Sequence, residues 1–130
     1  TQIRHSIYSL MSCCPPSRVP PLTAPATYKP RGKEIKIGEL DAYEVGTDGK
    51  KGCIVVIHDI YGWRSGRHKE ICDYFAGKGY HVVLPDIFRG DKCVKGMEMS
   101  AKIAFLKKFS IEKWQPDMDT VWAHLASKVC

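Results

Sequence analysis

Residues Cys53-Ile54-Val55-Val56-Ile57 form an unbroken apolar run, and His58-Asp59-Ile60-Tyr61-Gly62-Trp63 follows it directly. Strict alternation of apolar and polar residues would mark a strand with one wet face. A continuous run rich in β-branched residues marks a strand covered on both faces, as in a parallel sheet between helices. The run is therefore expected at the centre of the fold. Burying Ile54 to Ile57 contributes about 1.5–3 kcal/mol per side chain before conformational entropy is set against it. An open α/β sheet places its ligand crevice outside the carboxyl ends of its strands. His58, Asp59, Ile60 and Tyr61 are thus the first residues to weigh for chemistry.

The segments on either side fit the same architecture. Gly62 and Gly66 break the chain after the strand, and a helix is expected over about Arg67–Lys78. Ile71, Tyr74 and Phe75 stand at i, i+3 and i+4 on one face of it, and Gly79 suits the left-handed position beyond its end. His81-Val82-Val83-Leu84 reads as the next strand, stopped by Pro85. Strand, helix and strand over about 30 residues make a βαβ unit. Upstream, Lys33–Ile37 and Leu40–Val45 are short strands joined by Gly38-Glu39, a two-residue hairpin of the Gly-X kind. Downstream, Asp86–Gly96 is a polar loop and Met97–Phe109 a helix. Pro116 suits the first turn of a last helix, in which Met118, Val121, Trp122 and Leu125 form the apolar face.

The charge is unevenly placed. Residues 1–38 hold six Lys/Arg against one acid, whereas residues 39–130 hold fourteen against thirteen, so the net +6 belongs mostly to the leader. No basic stripe interleaved with aromatics is present, which argues against nucleic-acid binding. No apolar run approaches the roughly 20 residues of a membrane span. Prolines from Pro15 to Pro30 prevent regular structure in residues 1–32, which are expected to be extended on the surface or disordered. None of the six cysteines forms a C-x-x-C pair. Reduced thiols fit better than a disulfide framework, with Cys53 and Cys72 acting as small buried hydrophobes. Cys13-Cys14 has no His or Cys at ligand spacing, so it reads as two thiols on a tail and not as a metal site. A cytoplasmic protein is expected. The basic leader keeps a mitochondrial presequence as the alternative.

Taken together, these residues carry a specific resemblance. Leu40-Asp41-Ala42-Tyr43, then Val55-Val56-Ile57-His58-Asp59-Ile60-Tyr61-Gly62-Trp63, then Gly79-Tyr80-His81-Val82-Val83-Leu84-Pro85-Asp86-Ile87-Phe88-Arg89-Gly90 follow one another at characteristic spacing. This resembles the N-terminal half of the dienelactone hydrolase (carboxymethylenebutenolidase-like) family, over most of residues 33–130. The Cys-Cys-Pro-Pro leader is similar to that of many eukaryotic members. The resemblance implies an α/β-hydrolase fold, of which residues 33–130 would form the N-terminal portion of the doubly wound, mostly parallel sheet. It implies an ester or lactone hydrolase with a cysteine nucleophile, a small-molecule substrate, no cofactor and a monomeric complete protein.

In that fold one oxyanion-hole N–H follows the nucleophile, and the other comes from the loop between the third strand and the first helix. Cys53–His58 would be that strand, and the resemblance assigns the donor to the backbone of Ile60. Asp59 falls where bacterial members place a glutamate that contacts the resting nucleophile. It is one methylene shorter, and its alternative role is to order the loop by accepting backbone N–H groups. Arg89 lies near a family arginine that binds the substrate carboxylate by a bidentate pair, after a one-residue shift. Its alternative is a surface arginine. Tyr61 and Trp63 are expected to wall the substrate pocket or to pack. His58 is expected to be a half-buried strand-end histidine, because the family's base lies far downstream. Asp86 is expected to order its turn.

No Gly-x-Cys-x-Gly elbow occurs within residues 1–130, and no triad can be assembled from them. The expectation is a truncated hydrolase domain, inactive and poorly stable by itself. The competing reading is a non-catalytic product or interaction module of the same ancestry. A G-x-G-x-x-G turn and a P-loop are both missing, which removes nucleotide binding.

Overall fold

The computed structural model describes residues 21–46 and 50–128, and the readings that fall on Cys13, Cys14, Cys130 and residues 1–20 lie outside them. Among the described residues four strands and three helices follow in the order β1 (Lys33–Ile37), β2 (Leu40–Val45), β3 (Cys53–Val55), α1 (His68–Gly77), β4 (His81–Pro85), α2 (Met99–Lys108) and α3 (Ile111–Ala126). The strands form one mixed sheet in the order β1-β2-β4-β3. β1 pairs antiparallel with β2, β2 antiparallel with β4, and β3 parallel with β4. The hairpin has the expected two-residue turn, and Gly38 at φ +59° supplies the positive φ it needs.

Side-chain alternation sorts the core onto two faces. Tyr43, Val45, Val82 and Leu84 point to the face under α1, where Cys72 and Trp63 join them. Leu40, Ala42 and Val83 point to the other face, where Val121 and Leu125 of α3 cover them. One helix on each face is the layering of a doubly wound α/β domain.

The centre of this sheet is β4, and that corrects the place expected for the Cys53–Ile57 run. Every residue of β4 is buried, whereas those of β3 are only partly so, and Ile57 is 47% exposed. The reason is the strand order. β3 has β4 on one side, and among the described residues nothing pairs with its other edge. Its regular pairing also stops at Val55 and not at His58, although the Val56 N–H still donates to the Val83 carbonyl at 2.9 Å. Cys53 is disulfide-bonded, which corrects the free-thiol reading for that residue; Cys72 and Cys93 are free and buried.

The last helix departs from expectation in two ways. It begins at Ile111, so Pro116 lies inside it and not in its first turn. Trp122 is 51% exposed, because the buried stripe runs Met118, Val121 and Leu125 and leaves position 122 to one side. Ahead of β1, the chain is fastened to α1 by a buried carboxylate. Asp73 accepts the hydroxyls of Tyr43 at 2.6 Å and Tyr28 at 2.7 Å, and the Arg31 N–H at 3.0 Å. Burial and the neighbouring Asp73 push the Tyr43 phenol up to about 12, so it remains a neutral donor at ordinary pH. No helix among the described residues is long and apolar enough to cross a membrane.

Candidate active site

The loop that leaves β3 turns back on itself within four residues. The Gly62 N–H donates to the Asp59 carbonyl at 3.2 Å, and Gly62 takes φ +95°, which a side chain would strain. A chain outside a sheet or helix must find other partners for its backbone groups, and here side chains supply them. The Asp59 carboxylate accepts the Tyr61 N–H at 2.8 Å, and the Ser65 hydroxyl lies 3.4 Å away. The Asp59 N–H donates to His68 Nε2 at 3.3 Å, and His68 is oriented by its Nδ1–H donating to the Ser65 carbonyl at 2.6 Å. The Ile60 carbonyl accepts the Cys93 N–H at 2.7 Å, which ties this loop to the one after β4.

This leaves one exception. Of the amides from Asp59 to Gly62, only the Ile60 N–H has no acceptor among the described residues. It stands beyond the carboxyl end of β3, where the fold places ligands. An N–H held rigidly with nothing to bind is ready for an oxygen that brings its own negative charge.

The second wall is the loop after β4. Asp86 is buried and accepts the Gly90 N–H at 2.6 Å and the Phe88 N–H at 3.2 Å. Burial opposes its ionisation most strongly. The Gly90 and Phe88 N–H groups act against burial and hold the carboxyl below its usual 3.8. These bonds support a strained turn, because Arg89 has φ +52°, the one positive value at a non-glycine among the described residues. Asp86 therefore orders its turn, as its place after Pro85 suggests. Between the two loops lies a cleft of about 200 Å³, lined by Tyr61, Trp63, Ser65, Asp86 and Gly90 among others.

The structure does not gather all the sequence candidates into that cleft. Tyr61 and Trp63 line it together, although Trp63 is only 4% exposed and packs in the α1-side core, with the Arg64 guanidinium 4.3 Å above its ring. Asp59 opens instead onto a neighbouring hollow of about 530 Å³ lined by Leu22, Arg67, His68 and Ile71. Arg89 reaches neither. Its guanidinium forms a bidentate pair with Asp117 of α3, at 2.7 and 3.1 Å, and bonds Glu39 at 2.8 Å. His58, expected to be half-buried, is 5% exposed.

Sequence reasoning missed His68 and Cys93, whose bonds to the Asp59–Ile60 backbone cross the chain by 9 and 33 positions; nothing in local pattern marks them. Neither free cysteine offers a nucleophile. Burial pushes the Cys72 thiol up to about 12, and Cys93 is 2% exposed. No group of three or more His, Cys, Asp or Glu among the described residues could hold a metal ion.

Comparison with known proteins gives the frame for this site. The model of the dienelactone hydrolase family matches residues 40–129. The mouse carboxymethylenebutenolidase homolog is 27% identical over 100 residues, covering 75% of this chain and 41% of that protein. The human carboxymethylenebutenolidase homolog is 32% identical over 62 residues, covering 47% of this chain and 25% of its own length. Hydrolase pyvD of Aspergillus violaceofuscus is 36% identical over 63 residues, covering 47% and 26%. The chain therefore spans between a quarter and about two fifths of these relatives' lengths. No solved structure matches it significantly.

Proposed function

From the premise that this chain belongs to the dienelactone hydrolase family, we propose that the full-length protein carrying it hydrolyses small esters or lactones, with the Ile60 N–H as one oxyanion donor. The observation that supports this is the unaccepted Ile60 N–H in a turn where the Asp59, Tyr61 and Gly62 N–H groups all find acceptors among the described residues. In the reaction, a cysteine thiolate attacks the carbonyl carbon, and the carbonyl π electrons move onto oxygen. The Ile60 N–H and a second N–H beside the nucleophile bind that oxygen. Collapse expels the alkoxide and leaves a thioester, which water then cleaves to the acid.

Residues 1–130 contain no Gly-x-Cys-x-Gly elbow, and Cys72 and Cys93 are buried. In this reading the nucleophile and its base come from the rest of the full-length protein, and residues 1–130 alone have no turnover. In this reading Tyr61 contacts the substrate from the cleft wall and Trp63 supports that wall. Asp59 orders the turn by its bond to Tyr61 and presents a carboxylate with 53% of its side chain exposed. Arg89 serves the substrate only if it leaves Asp117 and Glu39.

Acyl-enzyme trapping tests the proposal. Full-length protein mixed with p-nitrophenyl acetate and quenched early should carry one acetyl group on a cysteine outside residues 1–130. Neither acetylation nor nitrophenolate release above the buffer rate would overturn it.

A further inference from the structure

We propose that His58 is a positioning residue for hydrolysis: it aims the Ile60 N–H by holding the other end of the same peptide unit. This rests on the reading of Ile60 as an oxyanion donor. The chemistry follows from the peptide bond. The Asp59–Ile60 peptide is trans, as are all those described, so its C=O and N–H point in opposite directions within one plane. Whatever fixes the Asp59 carbonyl therefore fixes the direction of the Ile60 N–H.

His58 Nδ1 lies 2.7 Å from that carbonyl oxygen. The tautomer follows from the partners. A carbonyl can only accept, so Nδ1 carries the proton. Nε2 receives the Ile87 N–H at 3.2 Å, so Nε2 carries the lone pair. The ring itself cannot turn freely. Its side chain is 0% exposed, and the Phe88 ring meets it edge-on with centroids 4.9 Å apart. Asp86 Oδ1, at 3.5 Å from Nε2, closes the remaining side. An uninterrupted line therefore runs from the Ile87 amide through the imidazole and the Asp59 carbonyl to the Ile60 N–H. The Gly62 N–H also reaches the Asp59 oxygen, at 3.2 Å, but from within the turn. His58 is the donor that ties the peptide to the sheet-side wall.

Two substitutions separate aiming from mere packing. In His58→Asn the amide NH2 takes the place of Nδ1–H and keeps the bond to Asp59, while the acceptor for Ile87 is lost. In His58→Gln the amide reaches the place of Nε2, and the donor to Asp59 is lost. With full-length protein and p-nitrophenyl acetate, His58→Gln should lower kcat about tenfold or more with KM within about twofold, because misplacing a catalytic group costs rate more than binding. His58→Asn should keep kcat within about threefold. A purely structural histidine would give equal losses in both variants, and that result overturns the proposal; so does full kcat in His58→Gln. If the unsubstituted protein releases no nitrophenolate, the oxyanion reading fails and this inference fails with it, an outcome distinct from the first two. Should neither variant fold, nitrogen-15 NMR of the unsubstituted imidazole decides. The proton must reside on Nδ1 of His58, and a proton on Nε2 alone overturns the proposal.

Discussion

Two buried carboxylates of this chain each sit beside histidine, and they serve different ends. Asp86 and His58 spend their bonds on backbone: the N–H groups of Ile87, Phe88 and Gly90 and the carbonyl of Asp59. Glu44 spends its bonds on side chains. Its Oε1 accepts from His81 of β4 at 2.9 Å and from His124 of α3 at 2.7 Å. The first group lies at the carboxyl end of the parallel strands, where loops have no ladder to satisfy them. The second lies within the sheet face, where strands are already bonded and only the helix needs fastening. Similar chemistry thus shapes a site in one place and docks a helix in the other. Which backbone groups are pinned, and not how deeply a carboxylate is buried, separates the proposed site from the helix dock.

The sharpest break between the two regions is Ile60→Pro, which deletes one N–H at the site end. It should cost about 2.7–4 kcal/mol of transition-state stabilisation, a 10²–10³-fold fall in kcat read with p-nitrophenyl acetate on full-length protein. At the other end, Glu44→Ala leaves two histidines without their shared acceptor and loosens α3. Urea unfolding should show a loss of about 2–4 kcal/mol, while kcat of the protein that remains folded changes less than about twofold.

The two ends share one response to acid. Burial raises the Glu44 carboxyl, but His124 and His81 outweigh it, so the folded value lies below the ordinary 4.5; Asp86 likewise lies below 3.8. A carboxyl depressed in the folded state contributes stability that is full above its unfolded value and is lost as pH falls through the folded one. Stability should therefore be level near neutrality and fall below about pH 4.5. The gap between the unsubstituted protein and Glu44→Gln, measured by urea unfolding, should be wider at pH 7 than in acid. The smallest effect belongs to Asp59. Asp59→Asn keeps an acceptor for the Tyr61 N–H and should change stability by less than about 0.5 kcal/mol, whereas Asp59→Ala should cost about 1 kcal/mol. A fall in kcat confined to Asp59→Asn and Asp59→Ala together, with stability held in the first, would assign the carboxylate to the chemistry.

Much of the fold was legible because it rests on local pattern. The Gly38-Glu39 hairpin, the β3–α1–β4 crossover and the dienelactone hydrolase frame all follow from contiguous residues. The rank of the two apolar strands was not legible. Cys53–Ile57 and His81–Leu84 look alike in sequence, and only the strand order decides that, among the described residues, β4 has two neighbours and β3 one. Of the site candidates, Asp59, Ile60 and Tyr61 share one turn because they are adjacent, yet Tyr61 lines the cleft and Asp59 the neighbouring hollow; Arg89 was placed by position in the chain. Its partners Asp117 and Glu39 stand 28 and 50 residues away, and no spacing announces an ion pair at that separation. His58 was read as a half-buried strand-end histidine for the same reason: its partner Ile87 lies 29 residues on.

A crystal structure of the full-length protein with a trifluoromethyl ketone bound to its nucleophilic cysteine tests the central claim most directly, because the adduct oxygen stands where the oxyanion forms. The account predicts that oxygen at about 2.7–3.1 Å from the Ile60 nitrogen, with the Asp59 carbonyl still on His58. An adduct oxygen turned away from Ile60, or bound only by groups outside the Asp59–Gly62 turn, would contradict it.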